Sequence, residues 1–131
     1  MENWFQKNPG GPSLDLYTPE FYRACAARLT PLGALTLHVA SPVAHPDRIR
    51  QTLVGLRSAF AIVTPYLVSV PLYGGLWMMA CCSAALDPRK MGSVEVDRRL
   101  AQRGIGDLAY YNGEMHRAAL ALPNFVRALV A

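Results

Sequence analysis

Three regions of the sequence carry groups that could bind a ligand. Tyr73 stands in the turn spanning 70–75, where its ring can pack against methylene groups and its hydroxyl can meet an ammonium, a combination that suits an aliphatic amine. His38 lies in a nearly continuous apolar run, and it is either a hydrogen-bonded core histidine or a ligand-binding side chain. The glycine-containing loop Asn8–Pro12 is either a backbone clamp that approaches a ligand closely or an ordinary turn.

The sequence contains few other residues that could catalyse a reaction or bind a metal ion. It contains no hydrolase elbow, phosphate-binding loop, paired metal ligands or Cys/His nucleophile pair. Cys25, Cys81 and Cys82 have no metal-ligand spacing, so we expect reduced structural thiols in a cytoplasmic protein. Because Cys81 and Cys82 are adjacent in a strand-like segment, their side chains should point to opposite faces.

Charge and hydropathy exclude two classes of partner. The formal net charge of +4 comes from arginines dispersed along the chain without a basic block or interleaved aromatic residues, so we predict no nucleic-acid partner. The longest apolar run, within Leu76–Leu86, is too short to span a bilayer, so we predict no membrane partner. With 52% hydrophobic and 17% charged residues, the chain should expose apolar surface to a partner or to a further part of the same fold.

The elements that position His38 follow from capping and turn residues. Thr18 is a good helix N-cap and Pro19 suits the first helical position, so a helix should begin there and end at about Pro31. The run Ala34–Ala40 then predicts a strand buried on both faces, which is typical of a parallel sheet. His38 would lie near the carboxyl end of that strand, where ligands bind in open α/β sheets.

The rest of the chain predicts a hairpin and further helices. A second helix should begin at Pro46, with apolar residues at helical spacing, namely Ile49, Leu53, Leu56 and Phe60. Two strands, Ala61–Val70 and Leu76–Ala84, are joined by a short turn and should pair antiparallel, and Pro65 argues for an edge or a bulge in the first of them. Ser93 should cap a helix that stops at Gly104, and the last predicted helices are Gly113–Leu122 and a segment after Pro123.

This order of elements predicts the α/β fold class. One helix, one strand, a second helix, a strand pair and terminal helices correspond to the C-terminal half of a doubly wound sheet, with a parallel strand, an antiparallel hairpin and flanking helices. The first half of such a domain, where a glycine-rich cofactor loop is expected, has no counterpart in the sequence.

Several motifs in the same order along the chain resemble the spermidine synthases, the polyamine aminopropyltransferases. The segment Asn8–Pro12 followed by Leu16–Tyr22 is similar to the family's DP-x-GP and LF-x-x-EFY motifs. The turn Val70–Gly75 is similar to its IPTY turn. Tyr110-Tyr111-Asn112, His116-Arg117-Ala118-Ala119 and Leu122-Pro123 match its C-terminal signature. The resemblance covers residues 8–131, whereas residues 1–7 form a segment that does not resemble the family.

The resemblance implies a Rossmann-like, methyltransferase-type domain, usually dimeric, in a cytoplasmic enzyme of polyamine biosynthesis. It implies transfer of an aminopropyl group from the co-substrate decarboxylated S-adenosylmethionine to putrescine or a related amine, with no further cofactor and no metal. The neutral amine attacks the methylene carbon beside the sulfonium, and methylthioadenosine leaves. An aspartate acts as the general base in this family.

Carrying the family's functional residues over gives a mixed result. Pro12 matches the proline that lies against the nucleoside product, and Tyr73 matches the tyrosine that contacts the amine. His38 stands where many members have a substrate-binding glutamine, and Asn8 replaces an aspartate of the D-x-x-D-P motif. Phe5 occupies the position of the catalytic base, and because a phenyl ring cannot accept a proton, no catalytic residue is assigned and we expect this chain to be inactive alone.

Three hypotheses follow from the sequence. The first is the C-terminal part of an aminopropyltransferase catalytic domain. The second is a non-catalytic interaction module derived from that family, which pairs with itself or with a full-length relative. The third is a methyltransferase-like enzyme, which lacks support because no glycine-rich cofactor loop is present. In the first case the exposed edge of the strand Ala34–Ala40 and the uncovered helices should drive self-association. The second case predicts tight dimerisation, so a homo-oligomer is expected in both.

Overall fold

The computed structural model describes residues 14–131 as a mixed α/β fold built on one three-stranded sheet. Short 3₁₀ turns at Leu14–Tyr17, Pro71–Tyr73 and Pro88–Lys90 connect the longer elements. The strands are β1 (Ala34–Ala40), β2 (Ile62–Val70) and β3 (Gly75–Ser83). The helices are α1 (Pro19–Arg28), α2 (Pro46–Ala59), α3 (Ser93–Gln102), α4 (Gly113–Leu120) and α5 (Asn124–Val130).

The sheet order is β1-β3-β2, and β3 runs antiparallel to both of its neighbours. The predicted antiparallel hairpin is therefore confirmed. It also places Pro65 on an edge strand of the described sheet, the kind of strand to which proline is usually confined. The strands β1 and β2 point in the same direction, but β3 lies between them and pairs with each.

The prediction of a parallel ladder at β1 is wrong for the described residues, because β1 pairs there only with the antiparallel β3. It is also not buried on both faces. Ala34, Thr36 and His38 are exposed, whereas Leu35 and Leu37 are half-buried. The apolar composition of the run reflects packing on one face of the sheet. The strand that pairs with β1 is β3, the second strand of the hairpin.

One face of the sheet carries the main core. Because side chains alternate along a strand, Val39 of β1 and Met78, Ala80 and Cys82 of β3 share this face. They pack with the buried residues of the helices, which are Tyr22 of α1, Ile49, Leu53 and Leu56 of α2, and Val126 of α5. The helical spacing predicted for α2 is confirmed, since Ile49, Leu53 and Leu56 are at most 1% exposed.

The opposite face is covered only in part. Tyr66 of β2 lies on it, close enough to Cys81 and Tyr111 to be influenced electrostatically by both, and α4 packs against β2 on this side. Helical segments therefore lie on both faces of the sheet. The part of this face nearest β1 exposes His38 to solvent.

Local signals account for most helix ends. The Thr18 hydroxyl accepts a hydrogen bond of 3.2 Å from the Phe21 N–H, which confirms it as the N-cap of α1. Gly104 has a φ of +67° and ends α3 as predicted. The prediction that Ser93 caps α3 is wrong by one residue, since Gly92 is the N-cap and Ser93 is the first helical residue.

Within the described residues no helix is long and apolar enough to cross a membrane.

Candidate functional site

Three rings form a cluster on the open part of the second face. The centroid of the His38 ring lies 6.0 Å from that of Tyr73 and 6.3 Å from that of Trp77, and the Tyr73 and Trp77 centroids are 4.8 Å apart. The imidazole approaches both aromatic rings edge-on, at interplanar angles of 69° and 65°. The structure therefore brings together His38 and Tyr73, two residues that are far apart in the sequence and were selected for amine binding.

The sheet register and the hairpin turn create this cluster. His38 pairs across the ladder with Met79, so it shares a face with Trp77, two residues before Met79 on β3. Tyr73 ends the 3₁₀ turn Pro71–Tyr73, which closes with a 3.1 Å hydrogen bond from the Gly74 N–H to the Pro71 carbonyl.

Two glycines let the chain turn from Tyr73 back into the sheet. Gly74 and Gly75 have φ values of +89° and +107°, a backbone conformation that residues with a Cβ rarely adopt. The turn therefore leaves the Tyr73 side chain 48% exposed beside the first residues of β3. The glycine pair positions the tyrosine rather than a phosphate group.

His38 is not a satisfied core histidine, since its side chain is exposed. A ligand-facing side chain is compatible with this exposed position, and the assignment of His38 to the substrate stays a prediction. A neutral imidazole offers one ring nitrogen as an acceptor and the other as a donor, so His38 can accept a hydrogen bond from an ammonium group.

Trp77 belongs to the cluster but is absent from the sequence-based assignment. Its ring is half-buried, and its Nε1 is fully buried without a hydrogen-bond partner among the described residues. The signal that could have found it is strand alternation, because Trp77 and Met79 share a face and Met79 lies opposite His38.

Two ionisable groups on the same face of the sheet as the cluster, Cys81 and Tyr66, are neutral at physiological pH. Burial raises the pKa of the Cys81 thiol, and burial likewise raises the pKa of the Tyr66 phenol. Both groups therefore keep their protons, and neither is a nucleophile or a counter-ion. In residues 14–131 no three His, Cys, Asp or Glu side chains lie close enough to hold a metal ion.

This arrangement suits recognition of an alkylammonium group. The faces of Tyr73 and Trp77 attract a cation through the ring quadrupole, and the same rings offer apolar surface to methylene groups. The described cluster contains no carboxylate that could remove a proton from an amine. The groups that the cluster offers are suited to binding and orienting such a ligand.

The C-terminal motif residues Tyr111, Asn112 and His116 have structural contacts. The Nε2 of His116 lies 2.9 Å from the Pro88 carbonyl, which can only accept, so this nitrogen carries the proton. Nδ1 of His116 then accepts a 2.9 Å hydrogen bond from the Tyr111 hydroxyl. The Asn112 side chain accepts a 2.8 Å hydrogen bond from the Met115 N–H and caps α4. These contacts fasten α4 to the turn after β3.

The remaining predicted site residues lie outside the described part of the chain. They are Phe5, which occupies the expected position of the catalytic base, Asn8 and Pro12. The assignments of Asn8 to the amine and of Pro12 to the nucleoside product stay predictions.

Comparisons with known proteins agree on one family. Residues 6–90 match the model of the spermine/spermidine synthase domain. The chain is 46% identical over 124 residues to the polyamine aminopropyltransferase of Nitrosomonas europaea, a match that covers 95% of this chain and 38% of the relative. It is 39% identical over 122 residues to polyamine aminopropyltransferase 2 of Hyperthermus butylicus, covering 93% of this chain and 40% of the relative.

A solved structure shows the same fold. Spermidine synthase from Thermotoga maritima superposes with a TM-score of 0.79 at 30% identity, covering 92% of this chain and 40% of the solved one. The 131 residues therefore span about 40% of the length of the proteins they match.

Proposed function

The chain belongs to the spermine/spermidine synthase family, and from that premise we propose that it represents the C-terminal part of a polyamine aminopropyltransferase and supplies the amine-binding wall of its site. In this proposal the sheet β1-β3-β2 is the C-terminal half of a Rossmann-like, methyltransferase-type sheet. The observation that carries the proposal is the cluster of His38, Tyr73 and Trp77, whose ring centroids lie 4.8 to 6.3 Å apart.

The proposed reaction transfers an aminopropyl group from decarboxylated S-adenosylmethionine to putrescine or a related amine. The lone pair of the neutral amine forms a bond to the methylene carbon beside the sulfonium. The bond from that carbon to sulfur breaks, and its electron pair leaves on the sulfur of methylthioadenosine. The one proton that the amine gives up goes to a general base, which is an aspartate in this family. Orientation of the amine is a large part of such a reaction, because a bound nucleophile held in line replaces a random encounter.

Each ring has a distinct part in holding the amine. The exposed ring of Tyr73 and the half-buried ring of Trp77 pack against the methylene groups and attract the ammonium at the far end of the substrate. His38 accepts a hydrogen bond from an ammonium hydrogen. Asn8 joins the amine site and Pro12 the nucleoside site, as the family motifs imply.

The 131 residues alone are proposed to bind an amine without turning it over. Phe5 stands at the position of the family's base and cannot accept a proton, so deprotonation of the nucleophile lacks its catalyst. Amine binding is therefore the property to test in this chain.

Binding can be followed by the fluorescence of Trp77. The chain has two tryptophans, Trp4 and Trp77, so the substitution Trp4→Phe leaves Trp77 as the single reporter. We expect putrescine to change the emission saturably, because the cation would contact the indole face. The diol 1,4-butanediol has the same chain length without charge and should give no saturable change.

Substitutions then locate the site. Tyr73→Leu keeps the apolar surface but removes the ring, and we expect putrescine binding to weaken roughly fivefold to tenfold, the size of one cation–π contact. The matched control is Tyr110→Leu, which replaces a tyrosine that is 61% exposed outside the cluster and should leave binding unchanged. Equal responses to putrescine and butanediol, or equal affinities of the two leucine variants, would contradict the proposal.

A further inference from the structure

A cavity of about 320 Å³ lies between the turn that follows β3 and the end of α4. Its volume is near the lower end of the range found for small-molecule sites, roughly 300–1,000 Å³. It shares no lining residue with the cluster of His38, Tyr73 and Trp77. Both segments contribute to its lining, which consists of Arg89, Met91, Gly92, Arg117, Leu120 and Ala121.

The side chain of Arg89 is held in place by a carboxylate that is itself fixed. Its Nε and Nη2 atoms each donate a hydrogen bond of 2.9 Å to the carboxylate of Asp87. Asp87 is only 10% exposed, and it also accepts hydrogen bonds from the Arg89 backbone N–H at 3.0 Å and from the Thr64 hydroxyl at 3.4 Å. Within the described residues the N–H groups on Nη1 have no acceptor, so this edge of the guanidinium can donate to a ligand.

Arg117 contributes a second guanidinium from the last turn of α4. Among residues 14–131 no carboxylate forms an ion pair with Arg117, including that of Glu114 one helical turn earlier. Lys90 adds a further positive charge next to Arg89. Because cations outnumber carboxylates around the cavity, its electrostatic potential favours an anion and disfavours an amine.

The cavity also has apolar walls. The side chains of Met91 and Leu120 are half-buried and line it together with the two arginines. An inorganic anion would gain nothing from these side chains, whereas the body of an organic anion would remove apolar surface from water. The planar fork of a guanidinium matches the two oxygens of a carboxylate.

From these observations we infer that this cavity binds a short organic carboxylate. The carboxylate group accepts hydrogen bonds from Arg89 and Arg117, and the apolar body packs against Met91 and Leu120. The inference does not depend on the proposed amine site, because it uses other residues and the opposite ligand charge.

Benzoate is a suitable probe, and two related compounds separate the contributions of charge and apolar surface. Benzamide has the same shape without the charge, and inorganic phosphate has charge without an apolar body. The probes are added to the isotope-labelled 131-residue chain at about 150 mM salt, near physiological ionic strength, and backbone amide shifts are followed by nuclear magnetic resonance. We expect benzoate to shift the amides of Gly92 and Leu120 saturably, with a dissociation constant on the order of 1 mM for so small a ligand. Benzamide and phosphate should bind at least roughly tenfold more weakly.

The substitution Arg117→Gln tests the second guanidinium. It should weaken benzoate binding roughly tenfold, because it removes a hydrogen bond between charged groups. The matched control is Arg103→Gln, which removes the same charge from an exposed residue at the end of α3 that does not line the cavity. This control should leave the affinity for benzoate unchanged.

Gly92 allows a second matched pair of variants that should retain the fold. An added Cβ at this position meets no atom of the described residues within 4 Å. Gly92 is also the N-cap of α3, a position that favours both asparagine and aspartate. Gly92→Asp places a carboxylate at the cavity and should bind benzoate roughly tenfold more weakly than its neutral isostere Gly92→Asn.

Four results would overturn the inference. Absence of a saturable shift with benzoate would mean that the cavity binds no carboxylate of this kind. Equal affinity for phosphate would indicate a general attraction of anions, and equal affinity for benzamide would indicate an apolar groove in which charge has no part. Equal weakening in Arg117→Gln and Arg103→Gln, or equal affinities of the two Gly92 variants, would show that the net charge of the chain rather than this cavity determines binding.

Discussion

At the scale of single residues, the Tyr22 hydroxyl is a polar group buried in the hydrophobic core. The side chain is 1% exposed, and its oxygen has no hydrogen-bond partner among the described residues. Burial raises the pKa of this phenol to about 12. An unpaired buried hydroxyl costs about 1–3 kcal/mol relative to a paired or solvated one, so Tyr22 fills the core with its ring rather than with its polar end.

The substitution Tyr22→Phe should therefore raise the free energy of unfolding, by about 1 kcal/mol, because it removes the unpaired oxygen and keeps the ring. The advantage should grow at high pH. The folded-state pKa lies above the ordinary value of 10.0, so the wild-type protein is most stable below pH 10 and loses stability as the pH rises from 10 towards 12, whereas the phenylalanine variant does not titrate.

Urea unfolding at neutral pH and at a pH just above the ordinary phenol pKa of 10.0 measures both effects. The control Tyr110→Phe changes a tyrosine that is 61% exposed and should shift neither midpoint. A loss of stability in Tyr22→Phe at neutral pH would show that the hydroxyl has a partner and would refute the prediction.

The sequence predicted part of the ring cluster and missed part of it. Tyr73 and His38 were selected by motif and by their polarity in apolar surroundings, and the structure places their rings 6.0 Å apart. Trp77 was not selected, because it lies in none of the motifs that resemble the family. Its position on the open face depends on the register between β1 and β3, and that register is a long-range property.

At the scale of secondary-structure elements, α3 carries a compact charge network at its first turn. The guanidinium of Arg98 donates two hydrogen bonds of 2.7 Å to the carboxylate of Glu95, and Arg99 donates one of 2.6 Å. Hydrogen bonding to Arg98 and then to Arg99 lowers the pKa of Glu95 from 4.5 to about 2. Glu95 also lies near the N-terminus of α3, where the helix dipole favours a negative charge.

This network predicts a pH-dependent role for Glu95. A depressed folded-state pKa gives stability that is fully present above pH 4.5 and is lost as the pH falls from 4.5 towards 2. The wild-type protein should therefore exceed Glu95→Gln in stability well above pH 4.5, and the difference should shrink progressively below that value. Thermal unfolding of both proteins at a series of pH values across this window measures the difference.

The matched control for this prediction repeats the comparison in an Arg98→Gln background. The first cause of the shift is then absent, so the stability difference that Glu95→Gln produces should be smaller above pH 4.5 and less dependent on pH. A wild-type advantage that stays constant as the pH falls through this range would count against the network.

Element bounds were predicted better than element neighbours. The residues Thr18, Pro46 and Gly104 set helix ends through local hydrogen bonds and backbone geometry, and the structure confirms the ends that they predicted. Ser93 is the first residue of α3 rather than its cap, and Gly113 packs so closely against it that an added Cβ would collide with the Ser93 carbonyl oxygen. The start of α3 is thus tied to its packing against α4, which local sequence does not encode.

At the scale of the whole molecule, the three-stranded sheet separates two differently covered faces. The fold class was predictable because helical and strand periods alternate clearly along the chain, and the mixed α/β architecture with an antiparallel hairpin is observed. The parallel ladder at β1 was not observed in the described residues. The apolar composition of a strand indicates burial, but it does not determine which strand pairs with it.

Because β3 contributes side chains to both faces, the two faces should unfold together. Val126 of α5 is fully buried in the helical core, whereas Trp77 lies on the opposite face of the sheet. The substitution Val126→Ala removes two buried carbons and should cost about 2 kcal/mol, which lowers the melting temperature by roughly 6 °C. In the Trp4→Phe background, far-UV circular dichroism and Trp77 fluorescence should report the same shift, since one cooperative unit has one transition.

The control substitution Val94→Ala, at a residue that is 81% exposed, should change the transition seen by neither probe. If Val126→Ala lowered the helical transition and left the Trp77 transition in place, the sheet would be joining two independent units instead of forming one core.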